Sequence, residues 1–118
     1  MVKKLTKQYF IENIFDFENN TEFKYKGGLP TLIKMGAMWC GPCKAIEPTL
    51  EELSVLYDGK VDIYHFDIEE EAELTDYFKI RSVPSLFFIP SEGEPVMKTG
   101  SQSKSQFINL FDTILKVK

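Results

Sequence analysis

Apolar residues recur along this chain with two different periods, and the switches between them mark its elements. Thr31 to Ala37 is nearly continuous apolar sequence, the pattern of a strand buried on both faces. From Lys44 to Tyr57 the spacing changes to that of a helix, with Ile46, Leu50, Leu53 and Tyr57 on one stripe. Pro48 falls inside that stripe and predicts a bend, because it removes one backbone hydrogen bond; Asp58-Gly59 ends the helix. Val61, Ile63 and His65 then alternate with Tyr64, Phe66 and Ile68, a second strand with both faces covered. Glu69 to Phe78 predicts a short helix with an acidic first turn and Leu74, Tyr77 and Phe78 facing inward. Ser85 to Ile89, the turn Ser91 to Glu94, and Val96 to Thr99 make a hairpin. Phe107, Leu110, Phe111, Ile114 and Leu115 give the clearest amphipathic helix, which closes the chain.

The first thirty residues carry a weaker pattern. Lys4-Leu5-Thr6 predicts a short edge strand, and Phe10, Ile14, Phe15 and Phe17 predict a helix over Lys7 to Phe17. Asn19-Asn20-Thr21 reads as a break, Lys26-Gly27-Gly28 as a turn, and Leu29-Pro30 leads into the central strand. Strands alternating with helices argue for parallel pairing of the two apolar strands. The class is therefore α/β: a central mixed sheet with helices on both faces, built as a single domain over 1–118.

Composition narrows the function. A chain of 118 residues, 43% hydrophobic and 14% aromatic, holds one ordinary core. A net charge of −4 with no basic cluster disfavours nucleic acid as a partner. No apolar run approaches the ~20 residues of a membrane span, and Met1 to Lys7 lacks the apolar core of a secretory signal. The expectation is a cytoplasmic monomer with no membrane association. The two cysteines, Cys40 and Cys43, are too close in sequence to staple distant parts of a fold.

Those cysteines lie in Met38-Trp39-Cys40-Gly41-Pro42-Cys43-Lys44, between the apolar strand and the helical stripe. A C-x-x-C at a strand-to-helix junction has a redox logic. The thiolate is the attacking species, and the first turn of a helix offers it unpaired N–H groups. Pro42 falls in the first turn, where its missing N–H costs least. Gly41 and Pro42 let Cys43 turn back towards Cys40, so one helical turn opens and closes a disulfide. Position assigns Cys40, at the exposed cap, as nucleophile, and Cys43, a turn further in, as the shielded resolving thiol. A zinc site wants four ligands, and this chain has one histidine and no second cysteine pair. Trp39 is large enough to cover one side of the thiols and offer substrate an apolar contact, with Met38 extending that surface; simple packing is the competing reading.

Trp-Cys-Gly-Pro-Cys-Lys, followed some forty residues on by Ile80-Arg81-Ser82-Val83-Pro84-Ser85, resembles the thioredoxin family from about Leu29 to the C-terminus. The resemblance implies the thioredoxin fold and a protein-disulfide reductase. Protein disulfides would be the substrates, a reductase of the thioredoxin-reductase type the electron donor, and no cofactor would be bound. It also implies a cis peptide at Val83-Pro84 facing Cys40, with the Val83 backbone left free to pair with substrate. Gly100 would let substrate approach closely, although a glycine at a hairpin end needs no such role.

The chain departs from the family at three matched positions. Thioredoxins carry a buried aspartate six residues before the first cysteine, and here that residue is Lys34. The partner position in the neighbouring strand, usually lysine, is His65. Three outcomes are open for Lys34: its head snorkels to the sheet edge, it loses its proton, or it stays charged and stabilises a thiolate. His65 is either a base that takes the Cys43 proton, directly or through water, or a core histidine satisfied by backbone. Gly36 stands where the family often has a large aromatic, predicting a more open site. The loss of the buried aspartate and the aromatic-rich N-terminal segment keep a second function in play, a binding or chaperone-like module with secondary redox activity.

Overall fold

The computed structural model describes residues 1–118. Its centre is a five-stranded sheet in the order β1-β3-β2-β4-β5, formed by Lys3–Lys4, Asp62–Asp67, Thr31–Gly36, Ser85–Ile89 and Val96–Thr99. β1 and β2 both run parallel to β3, while β4 pairs antiparallel with β2 and β5 antiparallel with β4. The helices are α1 (Lys7–Asn13), α2 (Gly41–Ala45), α3 (Glu47–Leu56), α4 (Ala72–Phe78) and α5 (Lys104–Thr113). None is long and apolar enough to cross a membrane.

Strand parity sorts the core into two layers, since successive side chains point to opposite faces. Leu32, Ile63, Leu86 and Phe88 pack on one face against Leu50 and Leu53 of α3, its C-cap Tyr57, and Phe107 and Phe111 of α5. Ile33, Met35, Tyr64, Phe66 and Ile89 pack on the other, with Phe10 of α1 and Leu74 of α4. Lys34 and Gly36 share parity with Leu32, and His65 shares it with Ile63. The same parity that builds the α3 face therefore puts two polar side chains on it, cross-strand neighbours in register.

Four elements differ from the periodicity reading, each for a local reason. The edge strand sits one residue earlier and is shorter, at Lys3–Lys4. α1 stops at Asn13 because Asp16 organises a turn, accepting from the Glu18 N–H at 3.1 Å and from Asn19 Nδ2 at 2.7 Å. α4 starts at Ala72 rather than Glu69, because the Asp67 side chain and carbonyl hold Glu69 and Glu70 in a turn. The single bent helix expected over 44–57 is two helices broken at Ile46, and Pro48 stands in the first turn of the second. There its absent N–H is an orphan position in any case. The final helix carries a capping box missed in the sequence: Gln106 N–H donates to Ser103 Oγ, and Ser103 N–H donates to Gln106 Oε1.

Phe111 is fully buried and meets the Tyr57 ring edge-on at 4.8 Å. Phe111→Ala is expected to lower the unfolding free energy by about 3–5 kcal/mol, and Ser103→Ala by about 1 kcal/mol. Urea unfolding of both variants checks the order.

Candidate active site

β2 ends at Gly36, and Ala37, Met38 and Trp39 carry the chain to Cys40, the N-cap of α2. Cys40 has extended backbone angles (φ −94°, ψ 108°), as an N-cap requires. Its Sγ accepts from the Cys43 N–H at 3.1 Å. Its own N–H donates to the Ala37 carbonyl at 3.1 Å, which fixes the turn. Cys40 and Cys43 are joined as a disulfide with Cα atoms 5.3 Å apart.

One expectation about the sulfurs is corrected. Cys40, read as exposed, is 5% exposed, and Cys43 is 1% exposed. Ala37 packs with the two cysteines, and Ile68 and Val83 close over them, so the pair presents only a small window to solvent. The order of accessibility still matches the reading from sequence, but by a narrow margin. Because α2 is a single short helix, the electrostatic help available to Cys40 is the local Cys43 N–H rather than a long helix dipole.

Around that window the surface is apolar and free. Trp39 is 67% and Met38 74% exposed, which excludes simple packing as the role of either. Trp39 Nε1 donates to Glu69 Oε1 at 2.7 Å, holding the indole beside the site. Asp67 accepts from the Met38 N–H at 3.2 Å and steadies the same loop. Val83, which packs against the two cysteines, forms a cis peptide with Pro84, and Pro84 is buried. Neither the N–H nor the carbonyl of Val83 enters a backbone hydrogen bond. Gly100 donates to the Pro84 carbonyl at 2.8 Å and has φ +92°, with open space where a Cβ would stand. Its glycine identity is therefore explained by backbone conformation; close approach adds nothing to the explanation.

The three departures meet beneath Cys43. Lys34 is 5% exposed and lines two clefts, one with Glu51 and Val2 and the other with Cys43 and Asp67. Its ammonium lies 3.7 Å from Glu47 Oε2, on the first turn of α3. The Cβ position of Gly36 lies 3.2 Å from Lys34 Cε and 3.3 Å from Cys43 Sγ, so strand residue and thiol flank one point. A cleft of about 240 Å³ is lined by Lys34, Cys43, Glu47, His65 and Asp67, ample for ordered water. Burial pulls the Lys34 amine below the usual lysine range, and Glu47 and then Asp67 oppose that pull. His65 is likewise held low, by burial first and by the charge of Lys34 second. Glu47, Asp67 and Glu69 escaped the sequence reading. Glu47 had a usable signal, since it follows Cys43 by one helical turn.

Against known proteins, the Thioredoxin family model matches residues 2–113. The chain belongs to the thioredoxin family. It is 34% identical over 110 residues to a thioredoxin of Borreliella burgdorferi, covering 93% of this chain and 94% of that one. It is 43% identical over 82 residues to a thioredoxin of Staphylococcus haemolyticus, covering 69% and 78%. The crystal structure of chloroplastic thioredoxin z superposes with a TM-score of 0.81 at 20% identity, over 98% of this chain and 96% of that one, and shows the same fold. This thioredoxin-family chain has the thioredoxin fold and is a thiol–disulfide oxidoreductase, a protein-disulfide reductase with a redox-active cysteine pair. Family members generally act on protein disulfides together with a thioredoxin reductase.

The His65 position has a consequence for stability. An unfolded histidine titrates near 6.5, and the folded imidazole titrates lower. The unfolded chain therefore takes up this proton first as pH falls. The contribution of neutral His65 is complete above about 6.5 and is lost as pH drops through the folded value. Wild type is expected to lose stability relative to His65→Asn between pH 7 and 5. Urea unfolding across that range measures the difference.

Proposed function

We propose that Cys40 is the nucleophile and Cys43 the resolving thiol of a reductase in which the whole chain acts as one monomeric module. The observation that carries this reading is the Cys43 N–H donated to Cys40 Sγ. A hydrogen bond to sulfur favours its thiolate, and Cys40 is also the less buried of the two. The Cys40 thiolate attacks one sulfur of a substrate disulfide. A Cys40–substrate bond forms, the substrate S–S bond breaks, and the first substrate sulfur leaves as a thiolate that takes a proton from solvent. Cys43 then gives up its proton and attacks Cys40, forming the Cys40–Cys43 disulfide and releasing the second substrate thiolate. Two electrons have moved from the protein to the substrate.

His65 accepts the Cys43 proton through water in the cleft they share, and charged Lys34 stabilises the thiolate form beside it. Trp39 and Met38 give the target segment an apolar rest. The unpaired Val83 backbone takes it up as an extended strand, in the manner of strand addition. Pro84 forms the wall opposite Cys40, and Gly100 holds Pro84 by its carbonyl. A reductase of the thioredoxin-reductase type returns the electrons, with the protein acting in the cytoplasm and binding no cofactor or nucleic acid.

Insulin-disulfide reduction tests the assignment. Cys43→Ser is expected to end turnover and accumulate a mixed disulfide on Cys40. His65→Ala is expected to slow resolution on the order of 10²-fold near neutral pH. Turnover that survives Cys43→Ser, or none in the parent protein, would favour the binding-module reading.

A further inference from the structure

The buried lysine beneath the resolving thiol has a partner that comes from a different element than the sheet. Glu47 begins α3, one helical turn beyond Cys43, and its carboxylate meets the Lys34 ammonium at 3.7 Å. The Glu47 side chain is 53% exposed and that of Lys34 7%. The carboxylate stays in contact with water, whereas the ammonium is taken out of it at a cost that an opposite charge offsets. The pair is thus unequal, and the exposed member controls the charge of the buried one.

We infer that Glu47 is a positioning residue for the redox pair, holding Lys34 protonated beneath Cys43 and thereby setting the balance between disulfide and dithiol. The inference rests on Cys40 and Cys43 being the exchanging pair. In the reduced protein a cation at Lys34 stabilises a nearby thiolate and so favours the dithiol; a neutral amine withdraws that stabilisation. The other charged groups facing this point come from every neighbouring element. They are Glu51 on α3, Lys44 on α2, His65 and Asp67 on β3, Glu70 in the turn after it, and Lys4 on β1. Of these, Asp67 also supports the Lys34 charge, but less than Glu47 does. His65 responds in turn, because the Lys34 charge is one of three causes that hold its imidazole low, after burial and ahead of Lys4.

Glu47→Gln tests the inference without disturbing the core, since the residue is half exposed. Titration of the Lys34 Cε resonance, assigned by its disappearance in Lys34→Met, is expected to move at least one pH unit lower in Glu47→Gln, a tenfold loss in proton affinity. At a pH between the two Lys34 midpoints, equilibrium against a dithiothreitol redox buffer is expected to shift about tenfold towards the disulfide, or about 30 mV. Lys34→Met should show the same shift, and adding Glu47→Gln to it should change nothing further. A Lys34 midpoint that stays in place overturns the inference. So does an equilibrium that moves towards the dithiol, which would mean that Glu47 merely repels the thiolate. Both outcomes are separable from failure of the redox assignment, in which the parent protein would not reduce insulin at all.

Discussion

The hydrogen bond from the Cys43 N–H to the Cys40 sulfur ties the chemistry of this protein to its fold. It exists only because a helix starts at Cys40, and the helix starts there because β2 has ended at Gly36. β2 in turn is held at the centre of the sheet by β3 on one side and β4 on the other. Its apolar side chains feed both core layers. The sulfurs therefore inherit the rigidity of the most buried strand in the molecule, while Met38 and Trp39 beside them stay exposed. In the mechanism we propose, the site needs no cavity large enough for a protein substrate; a small window, an apolar rest and the unpaired Val83 backbone would suffice.

The parity of β2 also explains how the family's buried carboxylate has been exchanged for another arrangement. Residues 32, 34 and 36 share the face covered by α2 and α3, so any polar side chain at 34 must be satisfied beneath Cys43. With a lysine there, α3 supplies the main complementary charge at Glu47, and Asp67 of β3 adds a smaller one. His65 lies beside Lys34 in register and is kept uncharged by burial and by that same cation. A neutral imidazole can accept a proton, whereas a protonated one cannot. The break at Ile46 contributes as well, because it gives α3 its own N-terminus and puts Glu47 in its first turn.

Much of this was legible from residue patterns, and the failures have physical causes. The strands and the amphipathic helices follow from periods of 2 and 3.6, which depend on burial alone. The ends of α1 and α4 do not, because Asp16 and Asp67 form side-chain turns that compete with helix. Pro48 was read as a bend when it marks a new helix start, since proline signals an interruption without saying on which side of it the chain breaks. At the site, Cys40, Cys43, Lys34 and His65 were all named from sequence, and strand parity brings them together. The exposure of Cys40 was overstated because Val83 and Ile68, distant in sequence, close over it. Glu47 and Glu69 were missed because their partners, Lys34 and Trp39, are likewise distant in the chain.

The most direct test of the account is the pH dependence of iodoacetamide labelling in the fully reduced protein, read by mass spectrometry at each cysteine. The account predicts that Cys40 is modified first, with a rate midpoint below the ~8.5 of an ordinary thiol, and that Cys43 stays protected until the protein unfolds. Labelling that begins at Cys43, or a Cys40 midpoint at or above that of a free thiol, would contradict it.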